Sequence, residues 1–198
     1  MSKPRIFTVA SAIFATVLLL AGCAAAQPAA APTTQEAGGS VIAELGLEGL
    51  DARQVVETLD ALPVADRPDG LTTSITAHQV TLTDRHGHAE ELALPEDIVY
   101  ISVAPYLSQT HDCYFHSPTG CIGELRNTEV EVTVTSITSG ETVFDESLRT
   151  LDNGFVGMWL PRDIDASISV THEGRTATST LSTAGDDVQT CVTTLQLM

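Results

Sequence analysis

Basic residues are scarce in this chain. Nine Lys and Arg stand against 26 Asp and Glu, for a formal charge of −17. Phosphate binding needs clustered positive charge, so the balance argues against a nucleic-acid partner. The same field raises the local concentration of cations, and it equally keeps an exported protein soluble. Long apolar runs are also missing. The one run, Ile6 to Ala21, is shorter than the ~20 residues a spanning helix needs. There is no P-loop, no Gly-x-Gly-x-x-Gly and no Gly-x-Ser-x-Gly, which leaves nucleotide-binding and nucleophile-elbow readings without support. Cysteine is limited to four residues, none in a Cys-x2-Cys pair, so neither a zinc knuckle nor the usual dithiol redox motif is present.

What is there begins with an address. Lys3 and Arg5 precede the apolar run, and Leu20-Ala21-Gly22-Cys23 closes it. A basic start, an apolar stretch and small residues before a cut describe a secretory signal over residues 1–22. The last four residues resemble the bacterial lipobox, in which the cysteine is lipidated. Cys23 is therefore expected to carry a lipid anchor at the outer face of the cytoplasmic membrane or in the periplasm. Residues 23–40 hold Ala, Pro, Thr and Gly with almost no large apolar side chain, and read as a flexible tether.

Residues 41–95 read as a small α+β domain without aromatic residues. Asp51 can cap a helix through Ala61 with Val55, Val56 and Leu59 on one face. Leu71 to Thr83 alternates with one shift, Arg85-His86-Gly87-His88 is turn material, and Ala89 to Leu94 can pair back. From residue 96 to 198 the composition changes. Beyond the leader, every aromatic lies between Tyr100 and Trp159. Strand-like runs recur at Ile98–Ala104, Glu129–Ser136, Glu141–Leu148, Phe155–Leu160, Ala166–Thr171, Thr176–Leu181 and Cys191–Leu197. The expected fold is mainly β: a small α+β part followed by an antiparallel, sandwich-like β domain.

The chemistry concentrates in His111-Asp112-Cys113-Tyr114-Phe115-His116-Ser117-Pro118-Thr119-Gly120-Cys121, with Cys191 near the end. An extended 110–116 would put His111, Cys113 and Phe115 on one face and Asp112, Tyr114 and His116 on the other. A turn at Ser117–Gly120 could then bring Cys113 opposite Cys121, as a stapling disulfide or as two thiolates about one ion. Without Cys23 three cysteines remain, an odd number that a purely structural disulfide set would not leave. Thiolates suit Cu(I), and imidazoles serve copper or zinc. Tyr114, Phe115 and Trp159 are candidates to screen the thiolates from water. His86 and His88, with Asp84 and Glu90, could bind a borderline ion or simply form a polar turn.

Several blocks resemble the CueP family of exported bacterial copper-binding, copper-resistance proteins. They are Val103-Ala104-Pro105-Tyr106, Thr110 to His116, Gly123-Glu124-Leu125, Asp152 to Asp163 and Thr190 to Leu197. The resemblance implies a two-domain β-rich fold, often a homodimer. It implies copper bound through Cys113, Cys121 and Cys191, with thiol-linked copper reduction and delivery to an exported copper enzyme. Pro118, in a turn that family resemblance leads one to expect without proline, and the lipid anchor are departures. The resulting expectation is a lipid-anchored, extracytoplasmic copper-binding protein that contributes to copper tolerance. Cys113, Cys121, Cys191, His111 and His116 are its candidate ligands and Cu(I) its cargo. The alternatives are a thiol-disulfide or metal-ion reductase, and a structural β-module stapled by Cys113–Cys121.

Overall fold

A computed structural model describes residues 39–198. The signal segment, Cys23 and nearly all of the tether lie outside the described residues. Two short helices come first, α1 (Val41–Glu44) and α2 (Ala52–Asp60). Asp51 caps α2 in a reciprocal capping box with Gln54, and Val55, Val56 and Leu59 are its buried stripe, as the sequence pattern requires.

The alternating run at 71–83 is not one strand. Its phase shift marks a turn between β1 (Thr72–Ile75) and β2 (Gln79–Thr83), which pair antiparallel from Thr72 opposite Thr83 to Ile75 opposite Val80. β3 (Ala89–Ala93) completes the sheet in the order β1-β2-β3. The 85–88 turn holds because the Asp84 carboxylate accepts from the backbone N–H of His86 at 2.7 Å and of His88 at 2.8 Å. Val55, Val56 and Leu59 of α2 pack with Ile75, Val80 and Leu82 into one apolar cluster.

The remaining strands form two further sheets. β4 (Ile98–Val103) lies between β7 (Val156–Pro161) and β10 (Cys191–Val192); β6 (Thr142–Arg149), β5 (Glu129–Ser136), β8 (Asp165–His172) and β9 (Arg175–Ser182) form the other, in that order. Their facing sides share one apolar core. Val99, Ile101 and Val103 of β4 and Val156, Met158 and Leu160 of β7 meet Val130, Val132 and Val134 of β5 and Ala166, Ile168 and Val170 of β8. Alternation within each strand produces those faces. The mainly-β architecture is therefore observed. In place of a long last strand, only Cys191 and Val192 form one, and it runs parallel to β4.

β4 is buried on both faces. Its odd-numbered residues enter the sandwich core. The even-numbered face carries Tyr100, Ser102 and, just beyond the strand, Ala104, all buried. Tyr100 joins the cluster formed by α2 and the first sheet, so β4 is where the two apolar clusters meet. Gly157 makes room for this tyrosine, since a Cβ there would stand 1.7 Å from its hydroxyl oxygen. Gly157→Ala should therefore displace Tyr100 and destabilise the fold by about 1–3 kcal/mol, the usual cost of overpacking. Urea unfolding of the two proteins measures this, and equal midpoints would show that the tyrosine can move aside freely.

Candidate metal centre

Residues 110–115 form no strand. The chain instead runs along the start of β10, held at several points. The backbone N–H of Cys191 donates to the Tyr114 carbonyl at 3.0 Å. The Gln189 side-chain amide donates to the carbonyls of Cys113 at 3.2 Å and Cys191 at 2.8 Å. One residue further on, the backbone N–H of His116 donates to the Thr190 hydroxyl at 3.0 Å, and that hydroxyl donates to the Ile75 carbonyl at 2.5 Å. Ile75 in turn donates its N–H to the His116 carbonyl at 2.8 Å. Thr190 thus ties the first sheet, the cysteine loop and β10 together.

This clamp decides the disulfide. Cys113 is bonded to Cys191, with 5.6 Å between Cα atoms. The alternative, a Cys113–Cys121 staple, is not formed, and Cys121 is a buried free thiol. The Ser117–Gly120 turn does exist, with the N–H groups of Gly120 and Cys121 donating to the Ser117 carbonyl at 3.0 and 2.8 Å. It is not the tip of a hairpin, because no strand pairing flanks it. The Tyr114 carbonyl accepts from the N–H of residue 191, and this aligns Cys113 with Cys191. The turn still brings Cys121 Sγ to 3.5 Å from Cys113 Sγ, so all three sulfurs meet.

Both histidines reach this sulfur cluster. Ligand atoms of His111, Cys113 and Cys121 lie within 4.8 Å of one another, as do those of His116, Cys121 and Cys191. Cys121 belongs to both groups. His111 is half-buried at the rim, edge-on to the Phe155 ring at 6.2 Å. His116 is fully buried and lies 4.8 Å from the same ring. With the strand absent, the expected division of the two histidines between opposite faces disappears. Tyr114 and Phe115 are exposed, and Trp159 packs tilted against Tyr100 with ring centroids 4.9 Å apart. The apolar neighbours of the cysteines are instead Phe155 and Ala104.

The surroundings of His116 were not legible in the sequence. Its Nε2 bonds to Asp60 Oδ1 at 2.8 Å, and Asp60, at the end of α2, is 1% exposed. The same carboxylate accepts from the Tyr100 hydroxyl at 2.6 Å and from Asn153 Nδ2 at 2.7 Å. Asn153 also takes the Gly123 N–H on its backbone carbonyl at 2.6 Å, two residues past Cys121. Burial disfavours the charge on His116, but the Asp60 carboxylate and then Cys121 outweigh it and raise the imidazole to about 9. Burial likewise opposes ionisation of Cys121, yet His116 beside it and the Ser117 backbone hold the thiol below its usual range. Two buried polar atoms here have no hydrogen-bond partner, His116 Nδ1 and Ser102 Oγ. Ser102 stands opposite Cys191 in the β4–β10 pair and so shares its face. Buried polar groups are almost always satisfied, and His116 is grouped with the Cys121 and Cys191 sulfurs.

His86 and His88 remain in the β2–β3 turn, where His88 Nδ1 lies 3.1 Å from Asp84. Among the described residues, no group of three potential ligands includes either of them.

Three sulfurs and two imidazoles in one small volume make the donor set of a soft-metal centre, set here between a β-sandwich and a small α+β layer. The comparisons with known proteins agree. The model of the periplasmic copper-binding protein CueP family matches residues 54–196. A solved structure, the crystal structure of S.CueP, superposes with a TM-score of 0.72 at 36% identity, covering 79% of this chain and 96% of that one. No curated protein gives a significant match. The chain belongs to the CueP family of periplasmic copper-binding proteins. Among the described residues, no helix is long and apolar enough to cross a membrane.

The loop that leads into the site hangs on one surface carboxylate. Glu124 accepts from the N–H groups of Leu107, Ser108 and Gln109 at 2.6, 2.9 and 3.2 Å and from the Ser108 hydroxyl at 2.5 Å. The Ser108 bonds, with those of Leu107 and Gln109, hold its carboxyl down to about 2. A depressed folded-state value contributes stability above the unfolded value and loses it as the pH falls through the folded one. Glu124→Gln should therefore be less stable than the parent at pH 6, with the gap closing between about pH 4.5 and pH 2. Urea unfolding across that range measures the gap; a gap independent of pH would remove Glu124's charge from the explanation.

Proposed function

We propose that this protein holds Cu(I) outside the cytoplasm between the thiolates of Cys113, Cys121 and Cys191, with His116 and His111 as its nitrogen ligands. The observation that carries this reading is the convergence of the three sulfurs and two imidazoles around Cys121. The chemistry of the donor set supports copper: thiolates are soft donors and suit Cu(I). The unpaired Nδ1 of His116 supports it too. A buried nitrogen with no partner is costly, and a metal ion beside the sulfurs would satisfy it. Phe155 and Ala104 keep the thiolates in a dry setting, which disfavours release of the ion to water.

Three-thiolate binding requires the Cys113–Cys191 bond to be open. The oxidised protein keeps only Cys121 as a sulfur donor, so affinity for Cu(I) follows the redox state. That bond also favours a second activity. Cys113 and Cys191 as a dithiol can give one electron to each of two Cu(II) ions, yielding two Cu(I), two protons and the disulfide. Cys121 stays reduced in this step and can retain one of the Cu(I) ions. A lipid anchor on Cys23 is supported by the Leu20-Ala21-Gly22-Cys23 segment. It would confine this storage, and any delivery of copper to an exported copper enzyme or pairing into a homodimer, to a membrane surface. Copper tolerance is the expected benefit, since bound Cu(I) is withdrawn from free chemistry.

The test is competition for Cu(I) between a chelator of known affinity and the reduced protein, its oxidised form, and Ser variants at Cys113, Cys121 and Cys191. Each single substitution should weaken binding by more than about 100-fold, beyond the 10–100-fold that loss of a supporting contact produces. Cys121→Ser should cost most, since Cys121 belongs to both ligand groups. Oxidation alone should weaken the wild type by a similar factor. Equal affinities for the reduced wild type and a variant lacking all three cysteines would overturn the proposal.

A further inference from the structure

We propose that Asp60 is the positioning residue of the copper centre: its carboxylate holds the imidazole of His116 so that Nδ1 is the nitrogen offered to the metal. The inference rests on the reading of His116 as a copper ligand and adds to it which atom binds and what fixes that atom.

The geometry is specific. His116 and Asp60 are buried at 0% and 1% exposure, so bulk water cannot replace either partner. His116 Nε2 donates to Asp60 Oδ1 at 2.8 Å. The other ring nitrogen, Nδ1, is buried and unpartnered. Nε2 is occupied by the carboxylate, so Nδ1 is the atom left for Cys121 and Cys191, whose sulfurs lie within 4.8 Å of the His116 ligand atom. The carboxylate is itself immobilised. The Tyr100 hydroxyl donates to Oδ2 at 2.6 Å, and Asn153 Nδ2 donates to Oδ1 at 2.7 Å. The backbone of His116 is pinned on both sides, by Thr190 and by Ile75. A ring flip would break the Nε2 bond and leave the carboxylate facing carbon. With all these groups fixed, one orientation of the ring survives.

Chemically, a carboxylate behind a ligating imidazole does two things. It keeps the proton on the far nitrogen, so the near one presents its lone pair, and it makes that lone pair a better donor. For a Cu(I) ion already bound by thiolates, this supplies a ring oriented before the ion arrives, and the Nδ1 proton leaves as copper binds. Asp60 touches neither the sulfurs nor the ion, and acts only through His116.

The experiment combines a thermodynamic cycle with a spectroscopic signature. Cu(I) affinity is measured by chelator competition for the wild type, Asp60→Asn, His116→Ala and the double variant. Tyr100→Phe serves as a control that loosens the same carboxylate without removing its charge. The expected result is a loss of about 10–100-fold for Asp60→Asn, the range for supporting groups behind a ligand. Little change is expected for Tyr100→Phe, and the double variant should be no weaker than His116→Ala alone. Full additivity of the two losses, or an unchanged Asp60→Asn affinity beside a weakened His116→Ala, would overturn the role of Asp60 and leave His116 a ligand. An unchanged His116→Ala would instead overturn the reading of His116 as a ligand, and this inference with it. Should Asp60→Asn not fold, the wild type decides. Cu(I) is diamagnetic, so 15N NMR of the His116 ring can be recorded in the apo and copper-loaded protein. Protonated Nε2 with a copper-shifted Nδ1 is expected; copper on Nε2 would refute the proposal.

Discussion

The structure turns on one buried carboxylate. Asp60 ends a helix in the first part of the fold, yet it lies where no water can solvate it, and an unpaired charge there costs several kcal/mol. It is satisfied only when Tyr100 of β4, Asn153 of the turn before β7, and His116 of the cysteine loop all converge on it. These partners come from residues far apart in the chain. The helix, the sandwich and the cysteine loop are therefore assembled around the same point. A fold that failed to bring any one of them in would leave a buried charge short of a partner. In this way the demand of one carboxylate links the correctness of the fold to the shape of the candidate metal site.

β4 is the scaffold on which this is built. One of its faces fills the sandwich core with Val99, Ile101 and Val103, and the other presents Tyr100, Ser102 and Ala104 to the site. β10, the two-residue strand that carries Cys191, lies along it. Cys191 thus sits on the outer face of a sheet whose inner face is close-packed, with Cys113 and Cys121 beside it. Rigidity comes from the core side, and access comes from the loop side, where His111 is only half-buried and Tyr114 and Phe115 are exposed.

Much of this was legible in the sequence. The capped helix at 52–60 and most of the strands follow from periodicity, capping and turn residues, which are local. The soft-ligand stretch was visible because cysteine is scarce here and two cysteines and two histidines fall between residues 111 and 121, with Cys191 as the odd cysteine near the end. What was not legible depended on contacts across the chain. An extended 110–116 would have set Cys113 opposite Cys121, but the backbone of Tyr114 bonds to residue 191 instead, and Cys113 is thereby paired with Cys191 rather than Cys121. Trp159 looked like a screen for the thiolates and packs instead on Tyr100, while Phe155, read only as a strand residue in a block of family resemblance, is the ring beside both histidines. Asp60 carries no local sign of its role, because a polar residue at a helix end is ordinary until the fold buries it.

X-ray absorption of the reduced, Cu(I)-loaded protein tests the account most directly. It predicts a first shell dominated by sulfur together with outer-shell scattering from imidazole, and the imidazole signal should weaken on His116→Ala. A first shell of light atoms alone, with no sulfur, would contradict it.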